Sequence, residues 1–235
     1  MGEQTSVIIK DFNKVYSQRA IFDGIDLKIR KGEFVCILGP NGCGKTTLLK
    51  AIAGLEGHSG RIKRNFSTIG YVGQHPEEML LPWLSVRSNM TFPGKNADSR
   101  IVSALMEITK LKDYQHNFPY QLSGGMCQLL LIARALTNRS DMILLDEPFK
   151  ELDFHMARKM QNTVLKLWRR YRPTMVMISH SIDEAIYMAD KVIILSDKPT
   201  RVKRIIDVNL PSDRNHGIMT HERFIGIKRR ILNEF

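Results

Sequence analysis

A glycine-rich segment, residues 39–46, has the residue types and spacing best suited to chemistry in this sequence. It reads Gly-Pro-Asn-Gly-Cys-Gly-Lys-Thr and matches the pattern G-x-x-x-x-G-K-[ST] in full. An apolar run at 34–38 predicts a buried strand before it, and a helix is predicted over 45–55. In this setting, glycines let backbone N–H groups point at phosphate oxygens, and the helix N-terminus adds its positive dipole end. Lys45 would supply a charge at the phosphates, and the Thr46 hydroxyl would ligate Mg²⁺.

An acidic pair ends a second apolar run. Residues 142–145 are Met-Ile-Leu-Leu, and Asp146 and Glu147 follow directly. Because side chains alternate along a strand, the two acids need not share a task. A buried strand end beside the phosphate-binding segment would place Asp146 near Mg²⁺, and Glu147 would then polarise the attacking water. The two motifs together predict a P-loop NTPase.

Length and composition fit a globular chain. The 235 residues are 43% hydrophobic and 25% charged, which excludes disorder as the main state. No apolar run approaches the roughly 20 residues that span a bilayer, and no secretory signal is visible. The three cysteines, Cys36, Cys43 and Cys127, lack paired or metal-type spacing, so we expect reduced thiols in a cytosolic protein.

Short strands alternate with helices along most of the chain, which indicates an α/β fold. Between about 85 and 138 the pattern becomes helical, with apolar residues three and four positions apart at 101, 105, 108 and 111. The predicted strands are 5–10, 25–29, 34–38, 69–73, 142–145, 174–178 and 192–195, with an edge strand at 201–208. Helices are predicted at 45–55, 129–136, 154–171, 182–188 and 220–232.

A third motif reads Leu-Ser-Gly-Gly-Met-Cys-Gln over residues 122–128 and resembles the signature of ATP-binding cassette (ABC) proteins, L-S-G-G-x-x-Q. Four further landmarks agree with that family in their order along the chain. Tyr16 resembles the aromatic residue that stacks on adenine, and Gln74 resembles the Q-loop glutamine. Asp153 matches the D-loop aspartate, and His180 resembles the switch histidine.

The resemblance covers about residues 7–195 and implies ATP as the bound nucleotide, with Mg²⁺. The residues implied to bind ATP are Tyr16, Gly39, Pro40, Asn41, Gly42, Cys43, Gly44, Lys45, Thr46 and Thr47. Those implied to hold the metal are Thr46, Gln74 and Asp146, and those implied to be catalytic are Glu147, His180 and Gln74. The signature residues are Leu122, Ser123, Gly124, Gly125, Met126 and Gln128, with Asp153 as the D-loop residue.

In fold, the resemblance implies a P-loop NTPase (RecA-like) core with an antiparallel β subdomain and an inserted α-helical subdomain. One nucleotide-binding domain would span 1–235, with its catalytic core at 1–84 and 139–208. The helical subdomain would be 85–138, and 209–235 would be a C-terminal tail. The family also implies a head-to-tail dimer, either a homodimer or a paired cassette. Each ATP would lie between the P-loop of one cassette and the Ser-Gly-Gly helix of the other, so the signature acts in trans.

The sequence departs from the family pattern at two places. Cys127 and Leu129 flank the signature glutamine, where basic residues are usual. Lys150 and Glu151 stand before the D-loop, where a small residue is usual, and near a subunit interface Lys150 could alter dimer contacts or turnover rate. Neither departure removes a catalytic group, so ATP hydrolysis is still expected.

Residues 79–84, Met-Leu-Leu-Pro-Trp-Leu, place several apolar side chains in a predicted loop. Such a cluster favours a partner surface, and the segment resembles bacterial importers of nitrate, sulfonates and taurine. That resemblance implies a transmembrane permease as partner, a solute-binding protein as an indirect one, and a peripheral location on the cytoplasmic face of the cell membrane. Alternatively, Trp83 and its neighbours fold onto the core of the helical subdomain.

Two other functional classes compete with an importer. The net charge of +11 mildly favours a soluble ABC ATPase that works on DNA or ribosomes. The long coiled-coil insertions, zinc modules and paired cassettes of those proteins are not found, so no nucleic acid partner is expected. An export or lipid-traffic cassette would keep the same chemistry. Six basic residues between 154 and 173 form either a solvated helix face or a surface for an anionic membrane or nucleic acid.

Overall fold

The computed structural model describes residues 5–16, 18–94, 97–211, 214 and 216–235. The chain divides into two compact units: the first combines Met1–Asn65 with Val176–Phe235, and the second is Phe66–Met175. The strands are β1 Thr5–Tyr16, β2 Arg19–Arg30, β3 Phe34–Leu38, β4 Ser59–Arg64, β5 Ile69–Val72, β6 Met142–Asp146, β7 Thr174–Ile178, β8 Lys191–Leu195 and β9 Val202–Asp207. The α-helices are α1 Lys45–Ala53, α2 Val86–Thr91, α3 Ser99–Thr109, α4 Gly124–Thr137, α5 Phe154–Tyr171, α6 Ile182–Met188 and α7 Glu222–Leu232.

An antiparallel sheet in the first unit has the strand order β2-β1-β4. Alternation in β2 buries Ile25, Leu27 and Ile29 and exposes Asp26 and Lys28, as expected for a sheet with one covered face. β1 and β2 extend well beyond the predicted strands at 5–10 and 25–29. The residues that extend them, 11–16 and 19–24, mix polar and apolar types without clear alternation, so the sequence pattern underestimated their length.

The first unit also contains a set of mixed strands around β3. Each of the five side chains of β3 is buried, β8 pairs with it in parallel, and β9 closes the other side of β8 in antiparallel pairing. This burial on both faces is what the continuous apolar run predicts. Helix α7 packs on α6 through buried Phe224, Ile227 and Ile231, which confirms the predicted closing helix.

In the second unit, β5 and β6 pair in parallel, and every residue of β6 is buried. Gly70 lets α4 approach β5 closely, because an added Cβ would lie 2.4 Å from Ala135 Cβ. Helices α2, α3, α4 and α5 fill the part of the chain where the periodicity predicts helices. Strand β7 contains the boundary between the two units.

Helix α4 begins at the Ser-Gly-Gly of the signature, which the sequence indicates as a helix start, and continues through the apolar run at 129–136. Ser123 is its N-cap, and the Ser123 hydroxyl accepts a hydrogen bond from the backbone N–H of Met126. The signature therefore forms the first turn of a fourteen-residue helix.

The basic residues between 154 and 173 do not all lie on a solvated face. Arg158 is buried, and its guanidinium donates to Gln161 Oε1 at 2.8 Å. Arg172 caps the end of α5 and lies 4.4 Å from the ring centroid of Trp168. Within the described ranges, no helix combines the length and the apolar character that crossing a membrane requires.

Candidate nucleotide-binding site

The glycine-rich segment forms a turn between β3 and α1, as its spacing predicts. Gly42 has a φ of 73° and Gly44 a φ of 108°, a backbone region that favours glycine. At Gly44 an added Cβ would lie 2.6 Å from Phe22 Cζ, so a side chain is also excluded by space. Helix α1 starts directly after this glycine, and its first N–H groups are the anion-binding groups that the pattern predicts.

The Lys45 ammonium is held within this turn. Its side chain is buried, and Nζ donates to the carbonyl oxygens of Gly39 and Pro40 at 2.9 Å each. A buried charge needs such partners, and here they fix the ammonium in the same turn as the N–H groups. This cradle of glycines, backbone donors and a lysine fits a nucleotide phosphate. The remaining implied ATP contacts of this segment are at Asn41 and Cys43 in the turn and at Thr46 and Thr47 on α1.

Thr200 anchors the turn from a distant part of the chain. It is fully buried, and its hydroxyl donates to the Cys43 carbonyl at 2.6 Å. Its backbone N–H donates to the Ile21 carbonyl, next to Phe22, which contacts Gly44. Burial raises the pKa of the Cys43 thiol, which supports its interpretation as a small neutral side chain. Nothing in the sequence identified Thr200, because the contact joins residues 157 positions apart.

Tyr16, the predicted adenine-stacking residue, lies at the end of β1 with its ring partly exposed. Its hydroxyl donates to Glu56 Oε1 at 2.7 Å, and this hydrogen bond raises the pKa of Tyr16. Lys14 Nζ lies 4.6 Å from the ring centroid and 2.7 Å from the same carboxylate oxygen. Lys14 and Glu56 therefore fix the ring, and sequence reasoning missed both.

His180 is exposed just after β7. The turn that carries it is fixed on either side, because Ser179 Oγ donates to Glu184 Oε2 at 2.6 Å and Ser181 caps α6. The position after a buried strand is the one predicted for His180. Its turn belongs to the first unit, with the glycine-rich turn and Tyr16.

The predicted metal ligand Asp146 lies in the second unit at the end of β6, where it is almost fully buried. The Tyr71 hydroxyl donates to Asp146 Oδ2 at 3.3 Å. Burial, together with the negative charge of Asp146, raises the pKa of Tyr71 and keeps its hydroxyl a donor. The carboxylate is thus oriented by a neighbour that the sequence pattern did not indicate.

Glu147 follows with a φ of 52°, in the left-handed region, and its side chain is 7% exposed. A non-glycine residue in this conformation is uncommon and often marks a functional turn. Lys150 Nζ lies 2.9 Å from Glu147 Oε2. The carboxylate is therefore buried beside a positive charge.

A cavity of about 370 Å³ in the second unit brings most of its predicted site residues together. Gln74 lies after β5, Glu147 after β6, and the signature residues at the N-terminus of α4. Among the residues that line this cavity are Gln74, Ser123, Gly124, Gly125, Gln128, Glu147, Lys150 and Asp153. The structure thus brings Gln74 and Glu147, two of the residues implied to be catalytic, to one cavity together with the signature residues of the same chain.

Around this cavity the signature residues differ in exposure. Ser123 and Gly124 are exposed, whereas Gly125 packs with Leu152 and Gln128 is buried. Leu122 and Met126 are half-buried. Asp153 caps α5, where its Oδ1 accepts from the N–H groups of His155 and Met156.

Asn89, a residue that sequence reasoning missed, holds the backbone of segment 79–84 through hydrogen bonds. The Asn89 side chain is fully buried, accepts from the Leu81 N–H at 2.9 Å, and donates to the Leu81 and Leu84 carbonyls. Trp83 is 70% exposed, so the prediction that it folds onto the subdomain core is wrong for this residue, although its neighbours are in part buried. Leu80 is buried, which corrects its assignment to the exposed apolar loop. Met79, Leu81 and Leu84 are half-buried, so this segment has one core residue and one solvent-facing aromatic residue.

Lys45→Ala is predicted to weaken ATP binding by roughly ten- to a hundredfold, the usual range for losing a charge-assisted hydrogen bond. Isothermal titration calorimetry with ATP measures this. Lys50→Ala removes an exposed lysine from the same helix and serves as the control. Near-normal affinity in the Lys45 variant would remove this side chain from its assigned role.

Comparison with known proteins identifies the family. The ABC transporter family model matches residues 22–150. The aliphatic sulfonates import ATP-binding protein SsuB of Bacillus cereus is 36% identical over 97% of this chain and 93% of that protein. Its counterpart in Bacillus subtilis is 35% identical over 100% of this chain and 94% of that protein.

Solved structures agree with this assignment. A dimeric structure of the ATP-binding cassette MJ0796, in a post-hydrolysis state bound to ADP and Pi, is similar with a TM-score of 0.72 and 27% identity. The match covers 87% of this chain and 100% of that one. The P-loop NTPase fold and the motif set are thus found together in one chain. This protein belongs to the ABC transporter family, as one of its ATP-binding and ATP-hydrolysing cassettes.

Proposed function

We propose that this cassette hydrolyses ATP as a head-to-tail dimer and so powers a permease that imports a small organic anion of the sulfonate type. The observation that carries the proposal is that one chain has two helix N-termini suited to phosphate. One is the glycine-rich start of α1, and the other is the exposed Ser123 and Gly124 start of α4. A dimer in which the two starts come from different chains uses both for each ATP. The dimeric MJ0796 structure supports such an assembly.

Within this scheme the residues of the chain have distinct roles. The N–H groups of the α1 turn and Lys45 bind the phosphates, and Tyr16 stacks on the adenine. The Asp146 carboxylate, the Thr46 hydroxyl and the Gln74 amide would hold Mg²⁺, since oxygen donors of this kind suit that ion. When bound, Mg²⁺ would offset charge on the phosphates. Glu147 accepts the proton of the attacking water, His180 stabilises the reacting γ-phosphate, and Asp153 contributes to the dimer contact.

The substrate class and direction rest on the relatives. Proteins named as aliphatic sulfonates import subunits share about a third of their residues with nearly the whole chain. This likeness favours import over export, lipid traffic, or work on DNA and ribosomes. The cassette would sit on the cytoplasmic face of the membrane, bound to the permease, with a solute-binding protein as an indirect partner.

The permease surface has a defined candidate in the second unit. A groove of about 590 Å³ is lined by Met79, Leu81, Phe92 and Leu131, with Arg134 among its polar residues. The Arg134 guanidinium donates to the Met79 carbonyl, which holds the rim in place. Trp83, in the segment 79–84 that Asn89 holds, extends into solvent. A short permease helix that places an apolar side chain in this groove would also cover Trp83.

Glu147→Gln tests the hydrolytic assignment. The amide keeps the shape of the side chain but does not accept the proton, so we expect ATP turnover to fall by roughly a hundred- to ten-thousandfold while ATP still binds. Sedimentation with Mg²⁺ and ATP should then show a stable dimer. Glu107→Gln, which neutralises an exposed carboxylate in the same unit, controls for charge. A Glu147 variant that turns over like the wild type would assign the base to another residue.

Trp83→Ala tests the permease surface. Because Trp83 is exposed, its loss should leave the melting temperature and basal ATP hydrolysis almost unchanged. Its loss should weaken binding to the permease by roughly thirtyfold or more, as expected for an interface anchor worth about 2 kcal/mol. Co-purification with the permease and transport in vesicles measure the effect.

Leu80→Ala provides the contrast, because it removes a buried neighbour and should destabilise the fold by about 2–5 kcal/mol. If Trp83→Ala instead lowers the melting temperature while the folded fraction still binds the permease, the surface assignment is wrong.

A further inference from the structure

Lys150 stands beside the carboxylate that we assign as the general base. Its Nζ lies 2.9 Å from Glu147 Oε2, and both residues line the cavity that also contains Gln74 and Ser123. The two side chains differ in exposure, at 57% for Lys150 and 7% for Glu147. The ammonium therefore reaches a buried carboxylate from the solvent side of the cavity.

The local backbone makes this contact a built feature of the turn. The Lys150 N–H donates to the Glu147 carbonyl at 3.3 Å, which closes a turn over residues 147–150. Phe149 is buried and anchors this turn, and Glu147 has the left-handed φ described above. The lysine side chain thus leaves the turn on the same side as the carboxylate. The Glu147 contact and its negative charge raise the pKa of Lys150, as expected for a lysine that interacts mainly with this carboxylate.

Other charged residues nearby are placed differently. Glu151 follows Lys150, and Asp153 uses its Oδ1 to cap α5. Asp146 is buried, and the Tyr71 hydroxyl donates to it. Among the acidic residues of this turn, Glu147 is the one that forms an ion pair with Lys150, at 2.9 Å.

An ammonium next to a general base opposes its function. It competes with water for a carboxylate oxygen, because charge-assisted contacts are stronger than neutral hydrogen bonds. A lysine at this distance should thus slow the step in which Glu147 polarises water.

We propose that Lys150 is a positioning residue that restrains the Glu147 carboxylate, so that each turnover of ATP includes breaking this ion pair. The inference rests on the proposed role of Glu147. It gives this cassette a lower basal rate than its catalytic residues alone would allow. The lysine side of the ion pair is exposed to solvent, so the strength of the pair depends on the ionic strength of the solution.

Lys150→Met in the full chain tests the proposal through steady-state hydrolysis of Mg-ATP. We expect kcat to rise by roughly two- to fivefold, the range for a partly exposed ion pair, with KM unchanged. Lys150→Arg keeps a positive charge near the carboxylate and should stay within a factor of about two of the wild type. Lys166→Met removes the same charge from an exposed position on α5 and should not change kcat.

Added potassium chloride supplies a second readout. Screening should bring the wild-type rate closer to that of Lys150→Met, so their ratio should fall as salt increases. An effect of the substitution on dimer contacts is distinguished from an effect on hydrolysis by repeating the assay over a range of protein concentrations. The kcat values are then compared at the concentrations where the rate per chain no longer changes. Melting temperatures establish that the variants are folded.

The outcomes distinguish a failure of the restraint by Lys150 from a failure of the proposed role of Glu147. If Glu147→Gln abolishes turnover but Lys150→Met has an unchanged or lower kcat, the restraint is wrong and the role of Glu147 stands. If Glu147→Gln turns over like the wild type, the proposed base is wrong, and the restraint fails with it. A faster Lys150→Met whose advantage persists undiminished at high salt would also overturn the ion-pair explanation.

Discussion

Phosphate binding by backbone N–H groups is the constraint on which this cassette depends. In the turn before α1 these groups point toward a ligand because the chain takes conformations that most residues avoid, and Gly42 and Gly44 supply them with positive φ. Space imposes the same requirement, since Phe22 leaves no room for a Cβ at Gly44. The rigid strand β3 before the turn and the helix α1 after it hold that geometry.

The second helix start imposes a constraint of a different kind. Ser123 and Gly124 are exposed at the N-terminus of α4, close to Gln74 and Glu147 in the same cavity. A chain that binds one ATP at α1 has no need of another phosphate site, unless that site serves a second chain. The proposed head-to-tail dimer would resolve this duplication. It would also make hydrolysis depend on assembly, as expected for a subunit that we propose acts together with a permease.

The motifs that we assign to the nucleotide site were predictable because each is a short, local pattern. The segment 39–46, the acids after β6 and the signature at 122–128 all follow from neighbours in sequence. The predicted strands and helices appeared in order, although β1 and β2 were longer. The start of α4 at Ser-Gly-Gly was predictable because a serine N-cap is itself a local pattern.

The supporting contacts were not predictable, because they join residues that are distant in sequence or depend on exact side-chain placement. Thr200 reaches the Cys43 carbonyl, Glu56 fixes Tyr16, and Asn89 pins Leu81. The burial of Leu80 beside the exposed Trp83 has the same origin, since Asn89 sets how the segment turns. The ion pair between Lys150 and Glu147 is local, yet its distance emerged only from the conformation of the turn.

The most direct test of the central claim, that each ATP site is completed by a second chain, is complementation between two inactive variants. Ser123→Arg blocks the signature, and Lys45→Ala impairs the phosphate turn. Each alone should hydrolyse almost no ATP, and an equimolar mixture should recover about a quarter of the wild-type rate, since about half of the dimers contain one intact site. Wild-type hydrolysis by Ser123→Arg alone, or no recovery when mixed dimers are demonstrably formed, would contradict the account.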